Sequence, residues 1–222
     1  MTTILVLGAS RGIGLDFVRQ YRAAGARVIA TARDEAGLER LRDLGAEAFV
    51  LDVSEPASVS QLAWRLEGEK LDVALYVAGV MTRSTATEPP TQDVFDHTLR
   101  TNVLGAMQAI PQVAPLVEAA SGKFVFLSSA MAQISGVASS YGWVYRASKA
   151  ALNMAVASAQ HDYPKAIFVA LSPGWVQTDM GGAGASLTVQ QSVESMRRTI
   201  ASLTAAQRGS YLQPDGRRFD GW

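Results

Sequence analysis

Thr3-Ile-Leu-Val-Leu7 runs directly into Gly8-Ala-Ser10-Arg11-Gly12-Ile13-Gly14, and a helical pattern over Ile13 to Ala24 begins inside that glycine-rich stretch. An apolar run of strand length, a glycine turn, and apolar residues at Ile13, Phe17, Val18 and Tyr21 predict a buried strand leading into an amphipathic helix that stops at Gly25. Strand, turn and helix in this order form the unit from which parallel sheets are built. In such a turn, glycines let the backbone approach a diphosphate, and the helix N-terminus supplies N–H donors and a positive dipole end. A P-loop would need Gly-Lys-Ser/Thr where Ile13-Gly14-Leu15 stand. The turn therefore predicts dinucleotide binding, with Gly8, Ser10, Arg11, Gly12, Ile13 and Gly14 at the phosphates.

Further apolar segments of strand length follow at Arg27 to Ala30, Ala48 to Leu51, Leu71 to Val77, Lys123 to Ser128, Ala166 to Leu171 and, short, Ser210 to Leu212. Helical spacing separates them. Leu38, Leu41 and Leu44 mark a second helix ending at Gly45; Val59, Leu62 and Leu66 mark a third, opened by Ser54 with Pro56 in its first turn. A longer helix from about Thr91 to Glu118 contains Gly105, Pro111 and Pro115, where a kink or break is expected. The pattern predicts an α/β fold: one domain over residues 1–222, a doubly wound parallel sheet of about seven strands with helices on both faces.

The chain has 222 residues, 20 basic and 20 acidic, and no cysteine. Balanced charge gives no field for nucleic acid or an anionic membrane. The N-terminal apolar run has no basic leader and is too short to span a bilayer, so a soluble cytoplasmic protein is expected. His97 and His161 stand far apart without other ligands, so no metal site is expected.

Cofactor choice is read at the end of the second strand, where an acidic residue grips the 2′-hydroxyl of NAD and a basic one accepts the 2′-phosphate of NADP. Arg33, joined by Arg11, offers two cations to that phosphate and favours NADP(H). Asp34 serves either as a helix cap or as a ribose ligand, which keeps NAD(H) possible. Asp52-Val53, after the third strand, meets the adenine edge or forms a turn. Ala78-Gly79, after the fourth, supplies small residues where open parallel sheets bind ligands.

Tyr145-Arg-Ala-Ser-Lys149 opens an alanine-rich helix and leaves Tyr145 and Lys149 on one face, one turn apart. Carbonyl reduction requires a hydride donor, an acid for the oxygen and a hydrogen-bond donor for the developing oxyanion. A tyrosine of pKa about 10, with an ammonium ~4 Å away, is drawn toward ~7. Ser129 supplies the hydroxyl to the oxyanion, with Ser128 and Ser135 as alternative hydroxyls.

Gly8, Gly12 and Gly14, Thr101-Asn102-Val-Leu-Gly105, Ser129, Tyr145 with Lys149, and Pro173-Gly174-Trp-Val-Gln-Thr178 together resemble the short-chain dehydrogenase/reductase family, in particular its sniffer-like and C-factor-like carbonyl reductases. The resemblance covers almost the whole chain. It implies a Rossmann-type single domain, a nicotinamide cofactor, and Asn102, Ser129, Tyr145 and Lys149 as the catalytic group, with Asn102 holding a water that relays protons to Lys149. It also implies that Pro173, Gly174, Val176 and Thr178 lie against the nicotinamide, and it favours a homodimer or homotetramer. Three departures stand out, the first being that Ser129 stands farther ahead of Tyr145 than in much of the family. Leu7 replaces a threonine whose hydroxyl steadies the glycine turn, and Tyr76-Val77 replaces two asparagines that tie the fourth strand to its neighbours. Met180 to Ser186 suits either a lid or a passive connector. Ile134, Tyr141, Trp143, Trp175 and Met180 suit an apolar or aromatic carbonyl substrate, with most of them expected in the core. The leading expectation is an NADPH-dependent carbonyl reductase; the alternative is an NADP-binding regulatory protein with little turnover.

Overall fold

The computed structural model describes residues 1–222. β1 (Thr3–Leu7) enters the glycine turn, α1 (Gly12–Ala23) leaves it, and β2 (Arg27–Ala32) returns parallel to β1. α2 (Glu35–Asp43) and β3 (Glu47–Val50) follow, then two single helical turns, α3 (Pro56–Val59) and α4 (Leu62–Arg65). β4 (Val73–Tyr76) pairs with the free side of β1 rather than with β3. α5 (Gln92–Leu99), α6 (Gly105–Ala119), β5 (Lys123–Leu127), α7 (Trp143–Ala159), β6 (Ile167–Leu171), α8 (Val189–Ser202) and β7 (Ser210–Leu212) complete the chain. The seven strands are all parallel, in the order β3-β2-β1-β4-β5-β6-β7. The direction of winding reverses between β1 and β4, so a crevice opens beyond their C-terminal ends.

Alternate residues of the inner strands feed two separate cores, which is why those strands read as nearly unbroken apolar runs, whereas no residue of the edge strand β3 is fully buried. Ile4 and Val6 face Phe17 of α1, Leu41 of α2 and Met196 of α8; Leu5 and Leu7 face the layer of Ile110 on α6 and Leu152 on α7.

Two helices differ from expectation. The third breaks at Ser60–Gln61, because the Ser60 hydroxyl takes the carbonyl of Ala57 at 2.8 Å and the Gln61 amide turns to Ser58. Its first residue follows Glu55; Ser54 instead hydrogen-bonds Asp52. The long helix breaks at a π-type turn over Arg100–Leu104, immediately before Gly105, one of the three residues at which a break was expected; the other two, Pro111 and Pro115, lie inside α6. The Tyr76 hydroxyl donates to the Thr101 carbonyl in that turn at 2.7 Å, satisfying a backbone acceptor in the wider coil.

Candidate active site

A cavity of about 440 Å³ opens beyond the ends of β1, β2 and β4. Its wall takes Gly8, Ser10, Arg11, Gly12, Ile13 and Gly14 from the first turn, Arg33, Asp52 and Val53 from the next two, and Ala78, Gly79 and Thr178 from the opposite side. At Gly8, φ is +89° and a Cβ would lie 2.7 Å from the Ala78 amide nitrogen; at Gly14 it would lie 2.3 Å from the Gly8 carbonyl oxygen. Only bare backbone fits there. α1 starts at Gly12 without a side-chain cap, which leaves its N-terminus to face an anion. This uncapped, side-chain-free cradle fits a dinucleotide diphosphate. The hydroxyl missing at Leu7 is supplied from β2: Thr31 Oγ1 accepts the Gly8 N–H at 3.0 Å.

Asp34 is the cap of α2, accepting the Gly37 N–H at 2.7 Å, and is not on the cavity wall. Arg33 is on the wall and exposed. Arg11 reaches across the cavity mouth to Asp179 at 2.7 Å, an ion pair open to solvent on both sides. Asp52 closes a turn with Ser54 and also lines the cavity, combining its two predicted alternatives. Burial pulls its pKa up, but two hydrogen bonds from Ser54 and the nearby Arg33 guanidinium outweigh that and hold the carboxylate below its usual range.

The proton-handling residues stand beyond Gly79 rather than in the cavity wall. A Cβ at Gly79 would lie 3.3 Å from Lys149 Nζ and 3.4 Å from Asn102 Oδ1, so this glycine is the joint between cavity and helix α7. Tyr145 and Lys149 are both buried on α7, with the ammonium 5.8 Å from the phenol ring centre. The expected lowering of Tyr145 toward neutrality is overturned. Burial pushes the phenol up, the Ser129 side chain pulling it partly back, while burial pulls Lys149 down to about 8. Burial dominates both shifts, and the ammonium donates to the Leu127 carbonyl at 2.7 Å.

Of the three candidate serines, Ser129 is the one against the Tyr145 hydroxyl. Its Oγ accepts the Met131 N–H at 3.1 Å, which leaves its own O–H free to donate. Ser128 Oγ is bonded to Asn153 Oδ1 at 2.6 Å, and Ser135 Oγ lies against Gln133 and the backbone at Gly221. A second tyrosine, which the sequence did not single out, stands here as well. Tyr211 donates its hydroxyl to the Ser129 carbonyl, and burial and the nearby Tyr145 push its pKa up.

The Asn102 side chain is already engaged. Oδ1 accepts the Val80 N–H at 2.8 Å, and Nδ2 donates to Val80 O and Ser148 Oγ, each at 2.9 Å. It braces the π-type turn against α7 and the segment after β4; a water held at this position would have to meet its backbone instead.

Pro173, Gly174 and Val176 lie off the cavity wall. The Pro173 carbonyl accepts the Ser192 hydroxyl at 2.7 Å, and Val176 is buried beside Leu187. They form the root of the 175–187 loop, which is knitted by Trp175 Nε1 to Gly181 O and Gln177 Nε2 to Ala185 O. Ile134, Tyr141, Trp175 and Met180, expected mostly in the core, are all exposed; Trp143 is half-buried. No helix is long and apolar enough to cross a membrane.

The short chain dehydrogenase family model matches residues 2–186. A 1-hydroxy-2-glutathionyl-2-methyl-3-butene dehydrogenase of Rhodococcus sp. is 31% identical, over 97% of this chain and 98% of its own. Among solved structures, the carbonyl reductase Sniffer of D. melanogaster superposes with a TM-score of 0.89 at 29% identity, over 100% of both chains. An NADPH-bound carbonyl reductase from chicken fatty liver does so at 0.89 and 28%, over 100% and 99%. Glycine cradle, seven-stranded sheet and the Tyr145–Lys149 helix thus coincide with an independent match over most of the sequence, and the chain belongs to the short-chain dehydrogenase/reductase family of oxidoreductases.

Proposed function

We propose that this protein is an NADPH-dependent oxidoreductase that reduces carbonyl groups of small aldehydes, ketones or quinones. The observation that carries the reading is the meeting of Tyr145, Ser129 and Lys149 at one point beside the glycine cradle, with a half-free serine hydroxyl and a phenol that burial keeps protonated. Gly8, Gly12 and Gly14 would hold the diphosphate of a nicotinamide dinucleotide, which would supply the hydride. Ser129 donates to the carbonyl oxygen as negative charge develops there. Tyr145 gives its phenolic proton to that oxygen, and a raised pKa keeps the proton in place until the alkoxide forms. Lys149 holds positive charge next to the resulting phenolate, and Asn102 keeps α7 and the segment after β4 in register.

Arg33 and Arg11 support NADPH over NADH, as does the NADPH carried by the chicken carbonyl reductase. The exposed Ile134, Tyr141, Trp175 and Met180 favour an apolar or aromatic substrate. Met107 and Met154, exposed on α6 and α7, suit a homodimer or homotetramer, and a chain without cysteine suits the cytoplasm.

NADPH oxidation measured with aromatic aldehydes, diketones and quinones tests the reading. Turnover by the native protein that Tyr145→Phe abolishes is the expected result. Tight NADPH binding with no turnover above Tyr145→Phe would overturn it and leave an NADP-binding regulatory protein.

A further inference from the structure

β7 does not end the fold's work at the site. After Leu212 the chain turns at Gln213–Arg217 and comes back antiparallel, with Leu212 opposite Arg218 and the Phe219 N–H donating to the Tyr211 carbonyl at 3.1 Å. One side of this return is fastened to α8, where Ser195 and Thr199 both donate to the Pro214 carbonyl, at 3.1 and 2.8 Å. The other side is fastened to the segment between β5 and α7. The Trp222 carbonyl accepts the N–H groups of Ile134 at 2.9 Å and Ser135 at 3.3 Å, and the Tyr211 hydroxyl reaches the Ser129 carbonyl. The Tyr211 ring is stacked on Phe219, with centres 4.0 Å apart, and on Trp222 at 5.8 Å, so its hydroxyl has little freedom to leave.

Ser129 needs such support. β5 has ended at Leu127, and Ser128 N–H makes the last bond to β6, at the Leu171 carbonyl. From Ser129 onward the backbone is outside the sheet, held by the short turn it caps, in which Ala132 N–H reaches Ser129 O at 2.9 Å. That turn is also anchored on α7, where the Arg146 guanidinium donates to the Met131 carbonyl at 3.4 Å, and Ala132 is buried in the core. The tether from Tyr211, which comes from 82 residues away, fixes the turn to the sheet.

We propose that Tyr211 and the returning segment 213–222 form a clip that fixes the Ser129 backbone and thereby aims the Ser129 hydroxyl at the reacting oxygen. Tyr211 is a positioning residue and not a second acid: its O–H already donates to a backbone carbonyl. The clip also holds the N–H groups of Ile134 and Ser135. The role in turnover rests on the reductase reading; the fastening of Ser129 does not.

Tyr211→Phe tests this, because it keeps the stacked ring and removes a single oxygen. In the native background kcat falls roughly tenfold, the weight of one hydrogen bond, while KM and the NADPH Kd stay unchanged. In a Ser129→Ala background the same substitution has no further effect on kcat. Equal losses in both backgrounds overturn the positioning role, since a general weakening of the fold would act without regard to Ser129. Amide hydrogen exchange supplies the readout that needs no substrate: protection over residues 130–135 falls roughly tenfold in Tyr211→Phe, with the Gly8–Gly14 segment unchanged. Unaltered protection there overturns the clip even if the enzyme turns over, and absent native turnover overturns the reductase reading without sparing or condemning the clip.

Discussion

The Lys149 ammonium donates to the Leu127 carbonyl across 2.7 Å, facing the end of β5 rather than solvent, and only 3% of the residue is exposed. A cation so enclosed is held at the expense of stability, and pH reveals it. Burial lowers the pKa from 10.5 to about 8. Below pH 8 the lysine is charged both folded and unfolded, and the full penalty, at most about 3 kcal/mol, is present. Between 8 and 10.5 the unfolded chain keeps a proton that the folded chain has released, so stability rises with pH. Above 10.5 the penalty is gone. Lys149→Met has no such rise. Urea unfolding of both proteins at neutral pH and near pH 10.5 therefore finds the native protein gaining on the variant by up to about 3 kcal/mol. A constant difference across that interval contradicts a charged, desolvated lysine.

Arg33 is exposed on the cavity wall with its guanidinium uncommitted, while Arg11 is shared with Asp179. Arg33→Ala should weaken NADPH binding roughly tenfold and NADH binding by less than about twofold, because only the former carries a phosphate for the guanidinium. Equal losses contradict the phosphate role. Asp179→Ala separates the two uses of Arg11. An exposed pair contributes about 0–1 kcal/mol, so folding stability hardly changes, but NADPH binding tightens by a few-fold as Arg11 loses its competing anion. Fluorescence titration with both nucleotides measures each constant.

The inner strands were legible because both their faces are buried, so they are nearly unbroken apolar runs such as Thr3–Leu7; the order in which the strands wind leaves no such local mark. Tyr145 and Lys149 were legible as a pair because helical spacing is local. Their protonation was not. It depends on how completely other elements enclose them, and a sequence gives no measure of that; desolvation reversed the direction expected for the tyrosine. The same limit hid the partners of Tyr76, Thr31 and Tyr211. Each makes a single hydrogen bond across 25, 23 and 82 residues, and a lone polar contact at that separation leaves no period to read. Of the three residues expected to break the long helix, Gly105 marked the place, while Pro111 and Pro115 lie inside α6; the Tyr76 hydroxyl that meets the Thr101 carbonyl in the π-type turn left no local signal.

Thr31 offers the sharpest separation of turn geometry from charge. It is fully buried, and its Oγ1 is the acceptor for the Gly8 N–H at 3.0 Å. Thr31→Val keeps the shape of the side chain and removes that acceptor, leaving an amide without its partner at a cost of about 1–3 kcal/mol. Gly8 has no slack to recover it, since it is held at φ +89° against Ala78. The turn must either keep an unsatisfied donor or shift away from the position that cradles a diphosphate. Both routes act on the part of the cofactor that NADPH and NADH share. Thr31→Val therefore lowers the Tm and weakens the two nucleotides by the same factor, whereas Arg33→Ala separates them; Thr31→Ser, which restores an acceptor, recovers most of the binding. Selective loss of NADPH in Thr31→Val would mean that the hydroxyl acts at the ribose phosphate and not through the Gly8 amide.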